Sequence, residues 1–123
     1  MKSGNINLVD LDFEYKIWKN RLELFSKEVN IIIDRNEEVK DEDTIDDLSD
    51  DELKRIDEHK QELTQLFNRI KVQEQELHYY NKDFPITKEH QFHTDHENIR
   101  DMVEALSKKH IDYMAFLMNR LSL

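Results

Sequence analysis

Six histidines in a chain of 123 residues put imidazole, the side chain that titrates nearest neutral pH, at several different kinds of position. His59, His96 and His110 fall on the apolar stripes of heptad-patterned segments. If the segments carrying His59 and His110 run antiparallel, both rings land in one layer beside Val29. Two facing imidazoles share a donor–acceptor bond, titrate as a pair, or bind Zn²⁺ with help from carboxylates, for which Glu62 and Asp112 are nearest. The plainer expectation is a buried polar layer that sets register, as a core Asn does in coiled coils. Tyr15, Gln73 and His96 make a second polar layer with Glu74 and Asp95 alongside, where hydrogen bonding is the simplest role.

His90, His93 and His96 are spaced by threes among Glu89, Asp95 and Glu97. On one helix the first and third lie about 240° apart, so the three do not clasp one ion together. His93 with Glu89 and Glu97 is the more plausible weak surface site. No metal or other cofactor is assigned; a metal, if bound, would use His59, His110, His93 or His96.

Named catalytic and metal motifs fail when tested. Glu-x-x-His, the helical di-iron signature, does not occur. His96-Glu97 is followed by Asn98, Ile99 and Arg100, which breaks the His-Glu-x-x-His zinc pattern. Asp41, Asp43 and Glu52 fit a calcium loop, but Ile45 stands where an oxygen ligand belongs and Asp46 where glycine makes the turn. Without cysteine, a nucleophile elbow or a phosphate-cradling glycine loop, an enzyme is not expected.

Three long helices must position these residues. Stripes stepping by threes and fours run from Leu11 through Trp18 and Phe25 to Ile32, from Ile56 through Leu63 and Ile70 to Leu77, and from Phe92 through Ile99 and Leu106 to Leu117. Folded back twice, partner numbers add to 88 between the first two helices and to 169 between the last two. Apolar then meets apolar, and Trp18 joins Ile70 and Ile99 in the middle. The expected fold is all-α, an up-down-up antiparallel three-helix coiled coil forming one domain over residues 1–123. Its helices should span about 8–40, 49–82 and 87–120, with an acidic loop at 41–48. Ser49 and Glu52 form a capping box that starts the second helix. Pro85 ends it, with the turn centred between Phe84 and Pro85. Thr94 and Glu97 repeat the capping pattern, which leaves 87–93 open as a separate turn; a continuous helix is preferred because Phe92 keeps phase.

Composition agrees. Apolar and charged residues each make up 37% of the chain, which suits amphipathic helices around a narrow core. A formal net charge of −10 argues against direct binding to nucleic-acid phosphates. It leaves open a basic protein partner or, as a minor alternative, mimicry of nucleic acid. Absent cysteine fits a reducing compartment, no signal sequence or apolar span is visible, and a cytoplasmic protein off the membrane is expected.

Apolar residues also lie outside the stripes. Ile17, Leu24 and Ile31 recur at sevens on the first helix; Ile111, Met114, Met118 and Leu121 form a second row on the third, with Ile33 at the same end. Such a surplus either marks a partner surface, with a symmetric homodimer the first expectation, or is tucked in by bundle tilt or left as scattered exposed apolar residues.

Three antiparallel helices with Trp18 in the first and His59 within Asp57-Glu58-His59-Lys60 resemble a spectrin-type repeat, although the third helix lacks Trp and no tandem copy is seen. His90-Gln91-Phe92-His93-Thr94-Asp95-His96 and Ile99-Arg100-Asp101 are similar to stretches of small helical coiled-coil proteins of Bacteroidetes-type bacteria. That resemblance implies a three-helix protein and brings no activity with it. The functional expectation is a scaffold or protein–protein interaction module that self-associates. The alternative is a metal- or pH-responsive bundle built on the seam histidines.

Overall fold

A computed structural model of the chain describes residues 5–80 and 85–123. Three helices, α1 (Leu8–Val39), α2 (Asp50–His78) and α3 (Gln91–Arg120), pack up-down-up as an all-α bundle. Each start has a local cause. Asn7 caps α1 by accepting from the Val9 amide at 3.0 Å, and Asp10 lies in the positive first turn. Ser49 and Glu52 close the expected capping box on α2 in both directions, at 3.2 and 3.0 Å.

The third helix begins later than the heptad phase suggests. Ile86–Thr87 (β2) pairs antiparallel with Asn5–Ile6 (β1), Ile6 opposite Ile86, so residue 87 is extended rather than helical. His90 then caps α3, its Nδ1 accepting from the Phe92 amide at 3.0 Å. The expected continuous helix from Thr87 is therefore corrected. Ile86 is buried by the short pairing, and the β-branched Ile86-Thr87 after Pro85 favours extended backbone. Thr94 lies inside the helix, so its capping pattern is not used. Helix α2 ends at His78 with Tyr79 as its cap, short of residue 82; that residue and Phe84 lie outside the described residues.

The core follows the pairing rules along most of its length. Trp18 is buried, as are Ile70 and Ile99, which share its expected layer. The stripe slips by one residue in two places, Gln73 to Glu74 on α2 and Tyr113 to Met114 on α3. A helix turning every 3.6 residues drifts about 20° per heptad, and two successive steps of four restore its phase. Asn36 and Val39 carry the α1 stripe beyond Ile32.

The acidic loop 41–48 is tied down rather than left loose. Asn36 Oδ1 accepts from the buried Leu48 amide at 2.7 Å. Arg120 donates to the carbonyls of Asp46 and Asp47 at 2.6 and 2.9 Å and reaches Glu52, while Arg35 pairs with Glu42. Arg35 also donates to the carbonyl of Leu121, closing the end of α3 against α1.

Candidate functional site

Two histidine–glutamate units lie along the contact between α1 and α3. Up-down-up topology makes these helices parallel, so residue numbers across the contact differ by a constant. His96 meets Glu14 and His110 meets Glu28, each pair separated by 82 in sequence. Within each helix the two members stand two heptads apart, and the arrangement is a structural repeat.

In the first unit His110 Nε2 lies 2.7 Å from Glu28 Oε1, and His110 Nδ1 lies 2.9 Å from His59 Nε2. The carboxylate can only accept, so a neutral His110 carries its proton on Nε2 and offers the Nδ1 lone pair. His59 must then donate from Nε2, which leaves its Nδ1 as a bare lone pair, and that buried nitrogen has no hydrogen-bond partner. The chain Glu28–His110–His59 therefore runs from a carboxylate at 43% side-chain exposure to an imidazole that is 2% exposed. Phe25 stacks on His110 with centroids 4.0 Å apart, and Tyr113 meets His59 edge-on at 5.3 Å. On the far side, the His59 ring contributes to the wall of an open groove of about 520 Å³ with Arg55, Glu58, Glu62, Lys109, Asp112 and Tyr113.

The second unit is built differently. His96, fully buried, lies between Tyr15 and Trp18, each with its ring centroid 4.7 Å away. Its Nε2 is 2.9 Å from Glu14 Oε1, and Arg100 donates to the same oxygen at 2.6 Å while lying over the Trp18 ring. Nδ1 of His96 again has no partner. Gln73 lies half-buried in the expected layer with an unpartnered Oε1; Glu74 instead turns to Lys19 and Lys16, and Asp95 accepts from Gln91.

Burial moves these groups. It pushes the His59 pKa below the ordinary imidazole value, reinforced by the neighbouring His110 and Lys109 and opposed by Glu62. Burial also lowers His96, and the Glu14 hydrogen bond only partly offsets it. Burial raises Glu14, yet its bonds to His96 and Arg100 win and hold the carboxyl below its usual range. The Tyr15 hydroxyl is pushed up, chiefly by burial.

The structure brings His59 and His110 together and separates the remaining histidines. His90 is a helix cap against Tyr80 and Phe92, His93 is half-buried, and His96 is in the core. Among the described residues no three His, Asp or Glu side chains are placed to hold a metal ion. Glu62 and Asp112, the carboxylates expected near His59 and His110, line the groove beside His59. Glu62 is paired to Lys109 at 2.9 Å, and the carboxylate that holds His110 is Glu28. The signal was present: the two pairing rules together imply an offset near 81 between α1 and α3, which puts Glu28 beside His110.

Of the surplus apolar residues, Ile17, Leu24, Ile31, Ile111 and Met118 are exposed, and Ile33 is half-buried against the core. Met114 and Leu121 are corrected: both are buried, because the core stripe of α3 shifts onto them. Leu48 and Val39 are buried in the same core. Phe13 and Phe116, absent from that expectation, are exposed.

No family model, curated protein or solved structure matches the chain.

Proposed function

We propose that this protein is a small, non-enzymatic helical module whose packing responds to pH through its seam histidines. The observation that carries the reading is the Glu28–His110–His59 chain, in which a buried lone pair ends a continuous line of hydrogen bonds reaching a partly exposed carboxylate. A proton taken up at His59 Nδ1 makes an imidazolium that faces Lys109 and His110 from α3. Glu62 is the countercharge on its own helix, with Arg55, Glu58 and Asp112 around the adjoining groove. Passing the Nε2 proton to His110 moves the charge next to Glu28 on α1, where a carboxylate awaits it. Protonation thereby redistributes charge among all three helices. Among the described residues no cluster of three metal-ligating side chains supports a metal-responsive version of this reading.

The sign follows from linkage. His59 and His96 have lowered folded-state values, so the unfolded chain binds their protons more readily. Their stabilising contribution is fully present above the unfolded value of about 6.5 and drains away as pH falls through it toward the lowered folded values. Urea unfolding measured from pH 8 to pH 5 tests this. Stability should fall across that range, and the His59→Leu/His110→Phe variant should lose much of the slope. A wild-type profile flat over the same range overturns the proposal.

Self-association as an interaction module is a second reading, supported by the exposed Ile17, Leu24 and Ile31 at heptad spacing on α1. The residues do not by themselves name a compartment. No helix among the described residues is long and apolar enough to cross a membrane. Equilibrium sedimentation at rising concentration tests the reading, and a mass that stays at 15.0 kDa overturns it.

A further inference from the structure

We infer that the outward face of α1 is the dimer interface, and that it takes a second copy of this chain in antiparallel orientation with partner numbers adding to 37. This rests on the self-association reading and adds the surface, direction and register. The core stripe of α1 faces α2 and α3, yet a second stripe of threes and fours runs along its solvent side: Phe13, Ile17, Asn20, Leu24, Lys27 and Ile31. Phe13, Leu24 and Ile31 are each more than half exposed, so three large side chains on one narrow face have no full cover among the described residues.

Charge selects the occupant and its direction. A parallel second copy stacks Lys27 on Lys27 and sets Glu23 against Glu28 and Lys16 against Arg21, all like charges. An antiparallel copy with partner numbers adding to 44 sets Ile17 against Lys27, and on its flanks Glu23 lies beside Glu23 and Arg21 beside Arg21. With a total of 37, Phe13 packs on Leu24, Ile17 on Asn20, and Asp10 meets Lys27 at both ends. Lys16 then flanks Glu23, an opposite pair repeated by the twofold axis. Among the described residues, Asp10, Glu23 and Lys27 have no ion-pair partner inside the chain. In this register Asp10 meets Lys27, and Phe13 and Leu24 cover one another. Glu23 meets a Lys16 that also pairs with Asp12 and Glu74 in its own chain, and Ile31 lies beyond the shared stretch of α1. Asn20 beside Ile17 is the polar interruption that distinguishes one register from its neighbours.

The test is equilibrium sedimentation of the full chain and four variants, with circular dichroism confirming that each is folded. Wild type should dimerise, and Leu24→Glu should be monomeric with unchanged helicity. Lys27→Glu and Asp10→Lys should each weaken the dimer at least several-fold, and the Asp10→Lys/Lys27→Glu double variant should recover most of the loss. A monomeric wild type overturns self-association and this interface together. A dimer indifferent to Leu24→Glu overturns the interface alone, and a double variant without recovery overturns the register.

Discussion

At the residue scale, the histidines divide by what remains for them to bond. His110 is satisfied at both nitrogens, whereas His59 and His96 each keep one buried lone pair without a partner. Truncating a member of the first unit strands the others. His110→Ala should destabilise the bundle by about 2–4 kcal/mol in urea unfolding at pH 8, combining a cavity with unpaired polar groups. Replacing both rings with apolar ones, as in His59→Leu/His110→Phe, should cost much less, because no buried polar atom is left behind. His96 has its own reporter in the sole tryptophan, 4.7 Å away. An imidazolium quenches indole emission more strongly than neutral imidazole, so Trp18 fluorescence of the folded protein should fall on acidification with a midpoint below 6.5. The direction follows from burial outweighing Glu14. A midpoint above 6.5 would show that the carboxylate dominates instead.

At the element scale, the ends of the helices are where local chemistry and tertiary context meet. The capping box on α2 is a purely local device, and Ser49→Ala should cost about 1 kcal/mol of stability. Asn36 acts at a distance: it belongs to the core stripe of α1 but serves the Leu48 amide in the next loop. Asn36→Ala leaves that buried donor unpaired and should cost about 1–3 kcal/mol, read by the same denaturation. Glu14 and Glu52 both have lowered pKa values, Glu14 because His96 and Arg100 outweigh its burial, Glu52 chiefly through its bond to the Ser49 amide. Their contribution is present above the ordinary carboxyl value and is lost as pH falls below it, so acid unfolding should show a second loss beneath the histidine range.

At the whole-molecule scale, a chain carrying a formal charge of −10 exposes apolar residues on every helix, with Phe13, Ile17, Leu24 and Ile31 on the outer face of α1 and Ile111, Phe116 and Met118 toward the end of α3. If two copies share the α1 face, unfolding is coupled to dissociation. The melting temperature of wild type should then rise with protein concentration, while that of Leu24→Glu should not. Differential scanning calorimetry over a hundredfold concentration range checks this.

Much of this architecture is legible in the sequence, because heptad spacing is a geometric code. Stripes stepping by threes and fours, two bends and the Ser49–Glu52 box are enough to set three helices in register, bury Trp18 and bring His59 onto His110. Other features depend on the pieces coming together. Pairing with Asn5–Ile6 holds Ile86–Thr87 extended and delays α3 to Gln91, a long-range contact to which local periodicity is blind. Met114 and Leu121 read as surface until the accumulated drift of the helix turns them inward. Glu28 becomes the partner of His110 only when the first and third helices lie side by side, because a hydrogen bond across 82 residues is a property of packing, not of either segment alone.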